Sequence, residues 1–256
     1  MSSHNDQHAP PQSVVVGLGE VGRPLLELLR GAGCPTIGID VKPERMPERG
    51  SVDVMHICFP FEIPDFVGET VRYIQLLEPR LTVINSTVAV GTTREIHARA
   101  GAAIVHSPVR GKHARMLEEL KRYTKFVGGI DQRSTQAAVA HFEGLGLQTR
   151  ALAAPETAEL AKLTETTYFG LLIAFAQDVE RFCDEAQVSY DEVIAFYEEI
   201  GFLPPVKYFP GVIGGHCVLP NIEILSKLQE SPLLDAIRSS NAAKIARGAL
   251  TAEPIA

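Results

Sequence analysis

The run Ser13-Val14-Val15-Val16-Gly17-Leu18-Gly19-Glu20-Val21-Gly22 decides the fold. Its first four residues, three of them valines, read as a strand buried on both faces, as in parallel sheets. The strand runs straight into G-x-G-x-x-G, and Arg23 to Arg30 continues with helical spacing until Gly31 and Gly33. Strand, glycine turn and helix in that order describe a dinucleotide-binding turn, where backbone N–H groups approach a pyrophosphate at a helix N-terminus. Thr36-Ile37-Gly38-Ile39 is a second strand and stops at Asp40, 18 residues after Gly22. A carboxylate there accepts hydrogen bonds from the adenosine ribose and repels a 2′-phosphate, which predicts NAD rather than NADP. The alternative for the same residues is a glycine-rich turn in another doubly wound fold.

Outward from this turn the pattern stays α/β. Val52 to Pro60 reads as the next strand, and the dozen residues after Asp40 leave little room for a helix–strand unit. Phe66 to Leu77 has helical spacing, and Leu81 to Asn85 is a strand leading into Ser86-Thr87-Val88-Ala89-Val90-Gly91-Thr92-Thr93. Ligands meet such sheets at the carboxyl ends of their strands. This adds Pro60, Ser86 and Thr87 to a cofactor set of Gly17, Gly19, Glu20, Val21, Gly22 and Asp40. The hydroxyls have a second reading as helix caps, for Thr92 and Thr93 especially. Ala102 to Ser107 and Lys125 to Gly129 read as the last strands. Between them the Lys- and Arg-rich stretch Val109 to Arg122 is either a solvated helix face or an anion-contacting loop.

Composition narrows the class. The chain has 256 residues, 45% hydrophobic and 21% charged, enough for one large domain or two ordinary ones. A net charge of −7 argues against a nucleic-acid surface. No apolar run is long enough to cross a membrane. Met1 to Gln12 is polar and reads as a disordered tail without the apolar segment of a signal peptide, so a cytoplasmic location is expected. Cys34, Cys58, Cys183 and Cys217 form neither a disulfide framework nor a C-x-x-C zinc pattern, so no metal is expected.

Thr157 to Gln187 carries the strongest helical signal, with Leu160, Leu163, Thr167, Leu171, Ala174, Phe175, Val179 and Phe182 at three- and four-residue steps. About thirty residues span about 45 Å, long for a small domain, which points to a second helical domain and a homodimer. Lys162 lies in the first turns, where a lysine is ordinarily solvent-facing. Further on, Pro210-Gly211-Val212-Ile213-Gly214-Gly215-His216-Cys217-Val218-Leu219-Pro220-Asn221 reads as a tight loop. Its cysteine is either a nucleophile or a buried structural thiol. Tyr190–Ile200, Ile222–Gln229 and Leu233–Leu250 read as shorter helices around it. The expected divisions are a tail at 1–12, a Rossmann-type domain at 13–153 with a doubly wound parallel sheet, and an all-helical domain at 154–250.

Together these motifs resemble the UDP-glucose/GDP-mannose dehydrogenase family, within the 6-phosphogluconate and β-hydroxyacid dehydrogenase group. The matching residues are Val16 through Leu25, Ser86-Thr87-Val88 with Gly91-Thr92-Thr93, Ala158-Glu159-Leu160-Ala161-Lys162-Leu163, Pro210-Gly211-Val212 with Gly214-Gly215-His216-Cys217, and Ile237-Arg238 with Asn241. The resemblance implies NAD-dependent oxidation of an alcohol, with Cys217 as the nucleophile that traps an aldehyde, Lys162 as a cation for developing oxyanion charge, and Thr87 as a polar contact. The chain also departs from the family's pattern. Thr166 stands where an Asn is expected and Asn221 where an Asp is expected, while Val109 and His113 replace glutamates. An amide is no general base, which bears on the water-activating step and on Asn221 as a catalytic residue. The family's third, nucleotide-sugar-binding domain is expected where this chain ends, so the implied substrate is a different or smaller alcohol or aldehyde. Two rivals stand beside this reading: a single-step β-hydroxyacid-type dehydrogenase using Lys162, and a non-catalytic dinucleotide-binding protein.

Overall fold

A computed structural model describes residues 12–40, 46–111, 113–200, 210–214 and 217–251. Residues 1–11 of the expected tail, Gly215 and His216 lie outside the described residues, as does the side chain of His113. Gln12 is tied to the body, its N–H donating to Asp53 Oδ2 at 2.8 Å. The chain divides into two compact units, residues 1–162 and 163–256.

The first unit is a seven-stranded sheet in the order β2-β1-β3-β4-β5-β6-β7. The strands are β1 Ser13–Val16, β2 Thr36–Ile39, β3 Val54–Ile57, β4 Leu81–Ile84, β5 Ile104–His106, β6 Lys125–Gly129 and β7 Thr149–Leu152. The first five are parallel; β6 pairs antiparallel with β5, and β7 runs parallel to β6. The doubly wound α/β expectation therefore holds, with the far two strands reversed. Alternate residues serve opposite faces, as strand geometry requires. Val15, Val83, Val105 and Val127 pack with Leu25, Leu29 and Phe142 on one side. Val14, Val16, Ile57 and Ile84 pack with Phe66, Ile74 and Ile96 on the other. Helices α1 Gly22–Gly31, α2 Phe66–Leu77, α3 Thr92–Ala100, α4 Met116–Arg122 and α5 Gln132–Gly144 cover these faces.

The expectation that β6 closes the sheet is corrected, because α5 and β7 follow it. Among the described residues of the Val109–Arg122 stretch, His113–Arg115 form a 3-10 segment and Met116–Arg122 form α4. Among the described residues the path from β2 to β3 contains no helix, and β1 is bonded on both sides, to β2 and to β3. That makes the β1/β3 junction the point where strand order reverses, with its crevice at the carboxyl ends.

Helix α6, Pro155–Ala186, continues into the second unit, which adds α7 Tyr190–Glu198, α8 Val218–Leu228 and α9 Pro232–Thr251. Ala174, Ile213, Val218, Ile222, Leu234 and Ile237 form its core. Gly170 on α6 lets α8 approach, since a Cβ there would sit 2.5 Å from Val218 Cγ1. The apolar steps read on α6 divide between buried and exposed positions. Leu163, Thr167, Ala174 and Val179 are buried, whereas Phe175 and Phe182 are exposed together with Tyr168 and Phe169.

Candidate functional site

The glycine turn sits at the β1/β3 junction, and each glycine has its own reason. Gly17 has φ +91°, and a Cβ on it would lie 2.6 Å from the Phe59 backbone nitrogen, where the chain leaves β3. A Cβ on Gly22 would overlap the Gly17 carbonyl oxygen, so only glycine lets α1 start this close to the turn. Gly19 is different: it is exposed, and nothing lies within 4 Å of its would-be Cβ. Local packing does not require a glycine there, whereas a ligand close to the backbone would. Helix α1 begins behind Val21 with no side-chain cap and no acidic residue in its first turn, leaving its N-terminal dipole available to an anion. Glu20 is exposed on the turn, and Asp40 is exposed at the carboxyl end of β2. The open glycine, the uncapped helix and the exposed carboxylate of Asp40 fit a dinucleotide.

The end of β4 is more tightly engaged. Ser86 is buried, its hydroxyl donates to the Phe59 carbonyl at 2.6 Å, and its own carbonyl accepts from His106 Nε2 at 3.0 Å. The hydroxyl thus ties β4 to β3. Thr87 remains half-buried and Pro60 exposed on the same edge. Behind this edge runs a buried polar chain. His141 Nε2 meets His56 Nε2 at 3.0 Å, and Asn85 Nδ2 lies 3.3 Å from His56 Nδ1. Lys125 Nζ donates to the Ser107 carbonyl at 2.6 Å and to the Pro108 carbonyl at 3.3 Å. Burial pulls the Lys125 amine down to about 7, and the Lys162 charge pushes it the same way. Burial likewise lowers His106 to about 3, with Lys125 and Lys162 adding to the effect. Lys162, half-buried, is thus electrostatically close to the β5 end of the sheet.

One turn before Lys162, Glu159 is fully buried. It accepts hydrogen bonds from Gly91 N at 2.6 Å, Thr93 N at 2.9 Å and Thr93 Oγ1 at 2.6 Å. Gly91, the N-cap of helix α3, has no capping side chain, so a carboxylate from α6 caps the helix. The Gly91-Thr92-Thr93 and Glu159–Lys162 motifs, which sequence reading kept apart, form one contact. No local signal in either segment predicts that partner.

In the second unit Cys217 is exposed at the N-cap position of α8. Val218 to Asn221 forms the first turn of that helix, which corrects the expectation of a loop running to Asn221. Pro220 is tolerated there because N–H groups in a first turn have no partner within the helix. The two departures from the family pattern touch each other: Asn221 Nδ2 donates to Thr166 Oγ1 at 2.9 Å, and Thr166 Oγ1 donates to the Leu163 carbonyl at 3.0 Å. Both residues are buried. Ahead of Cys217, the Asn241 amide pairs with Ile213 at both backbone groups, 2.7 Å and 3.0 Å, and Gln177 Nε2 donates to the Gly211 carbonyl at 2.7 Å. The other cysteines are more enclosed: Cys34 is half-buried, and Cys58 and Cys183 are buried. Burial raises the Cys58 thiol to about 12. Val109 lies in the core of the first unit, so its position offers no carboxylate.

Comparison with known proteins agrees with these motifs. The model of the UDP-glucose/GDP-mannose dehydrogenase family, central domain, matches residues 156–245. A UDP-N-acetyl-D-mannosamine dehydrogenase of Methanocaldococcus jannaschii is 26% identical over 275 residues, covering 89% of this chain and 64% of that protein. An NDP-N-acetyl-D-galactosaminuronic acid dehydrogenase of Ralstonia solanacearum is 31% identical over 159 residues, covering 54% of this chain and 36% of that protein. The chain spans just under two thirds of the length of the first of these relatives. Among solved structures, a UDP-D-ManNAc dehydrogenase from Pyrococcus horikoshii superposes with a TM-score of 0.81 at 21% identity, over 93% of this chain and 70% of that one. A 3-hydroxyisobutyrate dehydrogenase of Mycobacterium tuberculosis superposes with a TM-score of 0.69 at 19% identity, over 94% of each chain. The chain resembles the UDP-glucose/GDP-mannose dehydrogenase family, as its motifs imply, and has the fold of these dehydrogenases.

Proposed function

We propose that this chain is an NAD-dependent dehydrogenase acting on a CH–OH group, related to nucleotide-sugar dehydrogenases. The observation that carries the reading is the glycine turn at the β1/β3 junction, where Gly19 is open and exposed, with Asp40 exposed just after β2. Gly17, Gly19, Glu20, Val21 and Gly22 would hold the pyrophosphate and Asp40 the adenosine ribose. Bound NAD would supply the hydride acceptor. Titration calorimetry with each cofactor tests this: NAD is expected to bind more tightly, and NADP binding as tightly would refute the assignment of Asp40.

Lys162 is the cation proposed to stabilise negative charge on the substrate oxygen. Cys217 is the proposed nucleophile: its thiolate forms an S–C bond to an aldehyde carbon while the carbonyl electron pair moves to oxygen. Iodoacetamide should modify the exposed Cys217 faster than the enclosed Cys34, Cys58 and Cys183. Equal rates would remove the case for it. The Thr166–Asn221 contact favours a second form of the reading, in which oxidation is a single step using Lys162. The Asn221 amide is engaged with Thr166 and has no basic atom to activate water. Persistence of turnover in Cys217→Ser, once a metabolite screen has found a substrate, would select that form.

The exposed aromatic side chains of α6, Tyr168, Phe175 and Phe182, recur at seven-residue steps, and Phe196 of α7 is exposed as well. A face of this kind on a long helix suits a two-fold homodimer.

A further inference from the structure

Three guanidinium groups gather around two aromatic rings where β5, β6 and β7 meet. Arg110 Cζ lies 5.5 Å from the ring centroid of Tyr123 and 5.4 Å from that of Phe126. Arg122 Cζ is 5.4 Å from the Tyr123 centroid, and Arg150 Cζ is 5.7 Å from the Phe126 centroid. The reversal of the last two strands explains the gathering. Because β6 is antiparallel to β5, its first residues reach the edge where β5 ends. Because β7 is parallel to β6, with Phe126 opposite Arg150, its first residues reach the same edge. This is the carboxyl edge that also carries the glycine turn, Ser86 and Thr87.

Several arginines elsewhere pair with acids, as Arg72 with Glu69, Arg80 with Asp53, Arg94 with Glu156, and Arg238 with Glu223 and Asp235, while Arg23 and Arg30 donate to the Leu18 and Thr36 carbonyls. Arg122 and Arg150 have no carboxylate partner among the described residues, in a chain where acids outnumber bases 31 to 24. A ring face holds a guanidinium by its charge, and the planar fork of N–H groups is the geometry that grips an anion bidentately.

We propose that Arg110, Arg122 and Arg150 form a phosphate-binding subsite for a substrate that carries a phosphoryl or diphosphoryl group. The charge fits: a phosphoryl group carries about two negative charges near neutral pH, whereas a simple hydroxy acid offers a single carboxylate. A nucleic acid is a poor occupant, because three cations on an acidic chain make no continuous stripe. The subsite's role in catalysis rests on the dehydrogenase reading above; its affinity for phosphate does not.

Calorimetry with sodium pyrophosphate, on protein first saturated with NAD so that the glycine turn is filled, reads the subsite directly. Arg122→Gln with Arg150→Gln is expected to weaken pyrophosphate about tenfold or more, the loss of at least one charge-assisted bond, with NAD affinity unchanged. Arg150→Lys keeps the charge, loses the planar fork and should fall between. Circular dichroism confirms folding of these surface variants. No pyrophosphate binding, or equal binding by the double variant, overturns the proposal and leaves the arginines as charged guards of the β7 edge. Sedimentation with phosphatidylserine vesicles in the absence of pyrophosphate binding also overturns it, in favour of a lipid surface. If NAD fails to bind while pyrophosphate affinity still depends on Arg122 and Arg150, the dehydrogenase reading falls and the subsite stands.

Discussion

Replacing Glu159 should show how the motif around Lys162 is held. The carboxylate satisfies two backbone N–H groups and one hydroxyl at the start of α3, and its removal leaves three donors unpaired, two of them on buried Thr93. Each unsatisfied buried donor costs about 1–3 kcal/mol. Thr93 can turn its hydroxyl elsewhere, so Glu159→Ala should lose about 3–5 kcal/mol, the range for breaking a buried network. Glu159→Gln keeps one acceptor oxygen but sets an NH₂ against a donor, and should lose less. Acidity supplies a second signature. Burial raises the Glu159 pKa, against the pull of Thr93 and Gly91. A raised folded-state pKa gives stability that is complete below the ordinary carboxylate range and is lost as pH rises through the raised value. The gap between the native protein and Glu159→Gln should therefore be larger at pH 5 than at pH 7.5. Urea unfolding at both pH values, with the m-value constant, measures it. A Glu159→Ala cost below about 1 kcal/mol, or a gap that widens with pH, refutes the reasoning.

Further expectations follow from single contacts. The Cβ of Gly19→Val meets nothing within 4 Å, so the variant should leave the unfolding midpoint nearly unchanged while abolishing NAD binding by calorimetry; retained binding would displace the cofactor from this turn. Lys125, lowered to about 7 by burial, gains stability as pH rises from that value toward its unfolded pKa. The native protein should therefore gain stability between pH 7 and pH 8.5 relative to Lys125→Met, and parallel curves would contradict the assignment. Light scattering should give about twice the 27.8 kDa chain mass, and Phe175→Asp with Phe182→Asp should return it to one chain mass. A monomer at micromolar concentration before any substitution would remove the dimer.

What could be read from residue order was whatever is local. Ser13 to Gly22 contains strand, turn and helix start within ten residues, and α6 announces itself by its apolar steps. The segment from Gln132 to Leu152 carries no such local signal, for definite reasons. Helix α5 buries only Ser134, Thr135, Ala138 and Phe142, a face too small and polar to show as a stripe. Strand β7 carries Thr149 and an exposed Arg150 at a sheet edge, without a buried alternating pattern. Val218 to Asn221 reads as loop because Pro220 and the preceding glycines look like breakers, although a first helical turn accepts proline. Partners distant in sequence were out of reach altogether: Glu159 finds its donors 66 and 68 positions away, and Asn221 finds Thr166 at 55.

The central place of β1 also shapes how the chain assembles. Val14 to Val16 leave the ribosome long before their second partner, Met55 to Ile57, exists. At ordinary rates of synthesis, about 5–20 residues per second, those valines wait roughly 2–8 s with one flank unpaired. A short β-branched run exposed for that long is the segment most open to wrong pairing during translation. Once both ladders close, the amides of Val14 to Val16 should be among the last to exchange with solvent, and those of Thr149 to Leu152 among the first in the sheet.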